Sequence, residues 1–300
     1  MNSQEWGQHT LQKHLRALTL GLALLAINVG CSQAPRGPTS QGAQSLSESA
    51  GIIGGESVEA DDPIATSTVG VIDLKAGAVI CTGSLIDKNI VVTAAHCTSE
   101  NPLERGILFS RKIPQNQAEA AQMQARRVVA GRTSPLWPRL NPSKRDNWGD
   151  IALLRFVGDV PEGFKPAKIL TRSSALKDGG AALIAGFGIT NGRLQTPTDK
   201  LLKTEVTLAQ SKFSSSEVLF DQTKKRGACH GDSGGPAFVK LGEELLLFGV
   251  TSRGFQDPGD TCERFAIYTN MISYAAWIKS TITALNRVTK IERIPQPAGM

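Results

Sequence analysis

From residue 52 onward the chain alternates short apolar runs with turn residues. The runs are Val69–Leu74, Val79–Ile86, Ile90–Ala95, Ile151–Val157, Ala181–Phe187, Leu245–Thr251 and Phe265–Thr269. They are rich in β-branched residues and bounded by Gly, Pro, Asn or Asp, which predicts strands and an all-β fold. One stretch differs: Ser273–Asn286 places Ala276, Ile278, Ile282 and Leu285 at helical spacing, which predicts a closing helix. Residues 103–147, rich in Gln, Arg and Pro, read as long surface loops. At the other end, Ala17–Val29 is an apolar run preceded by Lys13, His14 and Arg16 and ending at Gly30-Cys31-Ser32. It is too short for a comfortable membrane span and reads as the core of a signal peptide. Residues 32–50 are small and polar without hydrophobic period, the composition of a flexible tether. The sequence holds no internal repeat.

Composition narrows the classes. A chain of 300 residues with 40% hydrophobic content buries a sizeable core, in one large domain or two small lobes. Charged residues make up 20% and are well mixed, which excludes a disordered chain or a fibre. The net charge of +6 favours anionic surfaces only weakly and fits solvated loops on a soluble protein. Aromatics are 5%, without basic–aromatic interleaving, so no nucleic-acid partner is expected. The five cysteines include an odd one: Cys81 and Cys97 bracket the segment ending at His96, Cys229 and Cys262 bracket Ser233, and Cys31 stands apart.

The chemistry lies in three segments: Thr93-Ala94-Ala95-His96-Cys97, Asp150-Ile151-Ala152-Leu153-Leu154 and Gly231-Asp232-Ser233-Gly234-Gly235-Pro236. A serine hydroxyl attacks a carbonyl only when a base removes its proton, and that base needs a carboxylate to hold its tautomer. Beyond the leader only His96 and His230 compete for the role of base, and Asp146 rivals Asp150. Together with Ile52-Ile53-Gly54-Gly55, these segments resemble the trypsin-like serine endopeptidases over residues 52–285. The resemblance implies two six-stranded antiparallel β-barrels, about 52–165 and 170–272, with the active site between them and a C-terminal α-helix.

It also implies the roles. His96 is the general base, Asp150 its orienting carboxylate with a hydrogen bond from Ser252, and Ser233 the nucleophile. The backbone N–H groups of Gly231 and Ser233 form the oxyanion hole, and His230 sits at the rim. Cys81–Cys97 and Cys229–Cys262 are the implied disulfides, which require an oxidising compartment. Cleavage after Gly51 would free the Ile52 amino group to pair with Asp232 and shape the oxyanion hole, so the uncut chain is expected to have that hole poorly formed. The specificity pocket falls on Gly227 as floor, with Ala228, Ser252, Arg253, Gly254 and Ala266. Without a carboxylate there it selects neutral side chains (small, aliphatic or aromatic) and not Lys or Arg. Arg253 and the triplet Lys224-Lys225-Arg226 add positive charge that reads first as a solvated basic loop and only second as a preference for acidic substrates. No cofactor or metal is implied, and Glu119 alone is too little for a cation cage.

The expected organisation is a signal peptide over 1–31, a tether or propeptide over 32–51, a peptidase domain over 52–286 and a tail over 287–300. A small residue before Cys31 resembles the bacterial lipoprotein signal, although Asn28 stands where that pattern prefers an aliphatic residue; an ordinary secretory cleavage remains the alternative. The expected protein is a monomeric, extracytoplasmic zymogen, secreted or anchored to the cell envelope through Cys31. Its partners are protein or peptide substrates and an activating protease. Ser49-Ala50-Gly51 suits an activator that prefers small residues, and the enzyme itself is a candidate. The rival reading is a catalytically silent binding or adhesion protein on the same fold.

Overall fold

The computed structural model describes residues 52–98, 101–137, 147–256, 259 and 261–288. The signal segment, Cys31, the tether, Gly51, Asp146 and the tail beyond 288 lie outside the described residues. The chain enters as β1 (Glu56–Ser57) and then builds β2 (Thr68–Asp73), β3 (Ala78–Asp87), β4 (Ile90–Thr93), β5 (Arg105–Leu108), β6 (Ala125–Thr133) and β7 (Ala152–Phe156). These last six close into an antiparallel barrel in the order β2-β3-β4-β7-β6-β5, with β5 returning to β2. Six more strands follow: β8 (Ala181–Gly186), β9 (Leu202–Gln210), β10 (Glu217–Asp221), β11 (Pro236–Leu241), β12 (Glu244–Phe255) and β13 (Phe265–Asn270). They run β9-β10-β13-β12-β11-β8 and close through β8 against β9, a second antiparallel barrel.

Period-2 burial explains these strands. In β9 Leu202, Thr204, Val206 and Leu208 point inward while Glu205 is exposed. The second core gathers Leu202, Val206, Leu208, Val218, Phe248 and Tyr268. Phe220 and Tyr268 meet edge to face there, ring centroids 4.8 Å apart. Strands β2, β4 and β7 are buried almost throughout and fill the first core with Val69, Val91, Leu153 and Phe156.

Residues 103–147 are not simply loops, since β5 and β6 both close the first barrel. Charge hides them in the sequence. Arg105 is buried because its Nε donates to the Cys97 carbonyl at 2.8 Å and its Nη1 meets Asp73 Oδ2 at 2.9 Å. Strand β6 carries Arg126, Arg127 and Arg132 on a half-exposed surface. The same stretch adds a short helix, α1 (Gln117–Ala121), which Asn116 caps by accepting the Glu119 N–H at 2.9 Å, while the Glu119 carboxylate accepts the Gln115 N–H.

The entry segment also departs from its expected place in the first lobe. Strand β1 pairs with β9, Ile53 exchanges hydrogen bonds with Gly227 at 2.8 and 3.0 Å, and the fully buried Ile52 packs in the second core. The chain closes with a 3-10 turn over Met271–Tyr274 and helix α2 (Ala275–Asn286). Helix α2 buries Ile278, Thr281 and Leu285 and leaves Ala276 outside. No helix among the described residues is long and apolar enough to cross a membrane.

Candidate active site

Strand ends bring the acid and the base together. His96 lies on the 3-10 turn Ala95–Cys97 directly after β4, and Asp150 lies just before β7. Because β4 and β7 pair with Thr93 opposite Ala152, the two segments meet at one end of the first barrel. Asp150 Oδ2 is 2.8 Å from His96 Nδ1, and Oδ1 accepts the His96 backbone N–H at 3.1 Å. Ser252 Oγ donates to Oδ2 at 2.6 Å, so the buried carboxylate is held as an acceptor on both oxygens. That network assigns the proton to Nδ1 and leaves Nε2 as the basic nitrogen. Burial works to lower the His96 pKa, but the hydrogen bond and charge of Asp150 outweigh it and raise the imidazole above its ordinary value. The side chain remains 34% exposed, open to a reacting group.

Ser233 sits in the turn between β10 and β11. Gly231 and Gly234 adopt φ of +93° and +80°, and a Cβ on Gly234 would fall 2.0 Å from Thr93 Oγ1. The first barrel holds this turn. Thr82 on β3 donates its N–H to the Ser233 carbonyl at 2.9 Å and its hydroxyl to the Gly231 carbonyl at 3.0 Å. Cys97 Sγ, one residue beyond His96, lies 3.6 Å from the same Ser233 carbonyl. Neither the Gly231 nor the Ser233 N–H has a hydrogen-bond acceptor among the described residues. Two such donors flanking a serine can stabilise a developing oxyanion. His230 is exposed, and its carbonyl accepts the Ile189 N–H at 2.8 Å.

Asp232 is fully buried. Its oxygens accept the N–H groups of Gly188 and Cys229, each at 2.8 Å, and no cation faces it among the described residues. Burial raises its pKa to about 7 against the pull of those two N–H groups. Ile52 has φ of +32°, an uncomfortable conformation for a β-branched residue.

The structure pairs Cys81 with Cys97 and Cys229 with Cys262. His96 and His230 each lie beside one pair, but a disulfide sulfur offers no thiolate to a metal. Next to Ser233 is a cavity of about 230 Å³, walled by Ala228, Ser252, Gly254, Ala266 and the second disulfide. The lining matches the expected set at Ala228, Ser252, Arg253, Gly254 and Ala266 and differs at Gly227. Gly227 does not form the floor: a Cβ on it would lie 2.2 Å from Gln222 Cδ, and the buried Gln222 side chain lines the cavity instead. Its Nε2 donates to the carbonyls of Ala228 and Cys262, and its Oε1 accepts the Ala228 N–H. Arg253 lines the cavity, but Glu217 neutralises its charge through two contacts at 2.8 and 3.1 Å. Lys224, Lys225 and Arg226 form an exposed turn that does not line it. Gln222 and Glu217 carried no signal in the sequence, since each sits at a strand end without a motif.

The sequence profile of the Trypsin family matches residues 52–278. Kallikrein 1-related peptidase b24 of Mus musculus is 32% identical over 221 residues, covering 68% of this chain and 80% of the relative. Kallikrein 1-related peptidase b27 of the same species is 30% identical over 227 residues, covering 70% and 82%. Chymotrypsin-like elastase family member 1 of Canis lupus familiaris is 27% identical over 216 residues, covering 68% and 81%.

Proposed function

This chain belongs to the trypsin family, and from that premise we propose that it is a serine endopeptidase made as a zymogen. The observation that carries the reading is the Asp150–His96 pair, held by Ser252 beside a serine turn with two unused N–H donors. In the proposed reaction His96 Nε2 takes the Ser233 proton as Oγ attacks the peptide carbonyl. The Gly231 and Ser233 N–H groups hold the oxyanion, and the imidazolium then protonates the departing amine. Water, deprotonated by the same nitrogen, hydrolyses the acyl-enzyme. Asp150 accepts the Nδ1–H bond and stabilises the imidazolium throughout.

The primary specificity is neutral. Among the described residues the cavity is lined by no carboxylate, so a basic side chain meets no opposite charge there. The switch reading has two supports: the φ of +32° at Ile52, and a buried Asp232 that no cation among the described residues faces. Cleavage after Gly51 would relieve the first and supply an ammonium to the second. The leader reading goes with this: export through residues 1–31, lipid on Cys31, and release of the catalytic domain from the envelope when Gly51 is cut. Mature protein starting at Ile52 that stays in the membrane fraction after a salt wash would contradict the release.

The deciding experiment is labelling with a fluorophosphonate probe before and after cleavage that exposes Ile52, with Ser233→Ala as control. Labelling after the cut, dependent on Ser233, is expected. No labelling of the verified Ile52 form would overturn the peptidase reading in favour of a silent binding protein.

A further inference from the structure

Arg253 follows the serine that donates to Asp150, and its guanidinium turns inward. Nη1 and Nη2 meet Oε1 and Oε2 of Glu217, whose side chain is fully buried while that of Arg253 is 13% exposed. Its Cζ lies 4.1 Å from the centroid of the Trp148 ring. Two routes lead from this pair to Asp150. In the first, Arg253 Nη1 donates to Ser252 Oγ at 3.3 Å. A hydroxyl that accepts there directs its single proton elsewhere, and Asp150 Oδ2 stands 2.6 Å away. In the second, Glu217 Oε1 accepts the Trp148 backbone N–H at 3.3 Å, two residues before Asp150. Asn147 is bonded at 2.9 Å by the Tyr274 hydroxyl, which also meets Ser216 Oγ, the neighbour of Glu217, at 3.3 Å.

We propose that the Glu217–Arg253 pair is a positioning device for Asp150. It commits the Ser252 hydroxyl to donate to the carboxylate, and it fixes residues 147–149 from the second barrel. Arg253 is therefore a positioning residue rather than a receptor for acidic substrates, because its charge is already met by Glu217. This rests on the reading of Asp150, His96 and Ser233 as the catalytic set.

The test is a double-mutant cycle on the Ile52 form, combining Arg253→Met with Ser252→Ala and reading kcat and KM for a small p-nitrophenyl ester. Arg253→Met should lower kcat about tenfold with KM little changed, and should lose most of that effect in the Ser252→Ala background. Arg253→Lys should recover only part of the rate, since an ammonium lacks the fork that meets a carboxylate and a hydroxyl together. Additive losses, or an effect confined to KM, would overturn the proposal. If Arg253→Met fails to fold, the paired variant Glu217→Gln/Arg253→Met replaces it in the cycle, since it leaves no buried charge unmatched. A wild-type enzyme that does not turn over the ester would count against the peptidase reading alone. The inference is then read from the His96 Nδ1 proton resonance, which should move upfield and exchange faster in Arg253→Met. An unchanged resonance would overturn it.

Discussion

Replacing Asp232 with asparagine in the uncut chain should remove a loss of stability that the parent suffers as pH rises from about 4 to 8. The carboxyl is fully buried and accepts two N–H groups, and burial still raises its pKa from 3.8 to about 7. The unfolded chain releases this proton near pH 4, whereas the folded chain keeps it to about pH 7. Between those values the unfolded state binds fewer protons, so this group lowers stability as pH rises. Below pH 4 both states are protonated and nothing is lost; above pH 7 the penalty is complete. A shift of about three units at ~1.36 kcal/mol each makes the penalty about 4 kcal/mol. Asparagine carries no charge and lacks this pH-dependent penalty, but its NH₂ leaves one of the two N–H groups without an acceptor, a pH-independent cost of about 1–3 kcal/mol.

The assay is urea unfolding from pH 4.5 to 8 on a Ser233→Ala background, which prevents self-cleavage. Other groups cancel in the difference. Asp73 and Asp178 are held low chiefly by backbone N–H bonds, so their stabilising effect is already in place above the ordinary carboxylate range. His96, raised by Asp150 despite its burial, loses stabilisation as pH climbs, but equally in both proteins. Cleavage before Ile52 should reverse the sign, because the new ammonium pairs with the Asp232 carboxylate and a neutral amide at that position cannot form the same pair. Equal pH dependence of the two uncut proteins would refute the reasoning.

Gly227→Asp alone should destabilise the protein by about 1–3 kcal/mol and give no cleavage after Lys or Arg, because Gln222 occupies the space the new side chain needs. Combined with Gln222→Gly it should shift a peptide-library profile toward basic residues. Asp150→Asn should lower kcat by about 10⁴, since Nδ1 loses the acceptor that fixes the tautomer. In the parent, the acid limb of kcat/KM should have its midpoint above the ordinary imidazole value, because His96 must be neutral to act as base. Replacing Cys229 and Cys262 with alanine should cost about 3–4 kcal/mol in urea unfolding, the chain-entropy value for their 33-residue separation.

The seven apolar runs each fell on a strand because those strands are buried on one face or both, so hydrophobic pattern and burial coincide. Strands β5 and β6 escaped because a buried arginine and a half-exposed face break that pattern; β9, β10 and β11 escaped as well, because Lys203, Glu205 and Thr207 alternate through β9 and Glu217, Asp221 and Lys240 break up the short β10 and β11. Arg105 is paid for by Asp73 and the Cys97 carbonyl, partners 32 and 8 residues away that no local window contains. Strand β1 was invisible for a different reason: two residues carry no period, and only the pairing with β9 defines them. The 3-10 turn before α2 likewise takes its start from Asn270, which caps the Ile272 N–H at 3.1 Å.

The site divides along the same line. The segments of His96 and Asp150 were legible because each lies at a strand end, and the structure brings the two side chains into contact. Asp150 reaches His96 through the register of β4 and β7, and that register follows from the apolar run of each strand. The pocket floor could not be found this way. Gly227 has no side chain, so it says only that something else fills the space, and Gln222 answers through three bonds to backbone that is adjacent only after folding. Arg253 posed the same problem, since its meaning changes from a surface charge to a fixed internal bracket once Glu217 is placed opposite it on β10. Residues whose role is set by a partner's shape or charge need the partner's position, and in a closed barrel that position comes from strand order rather than from sequence distance.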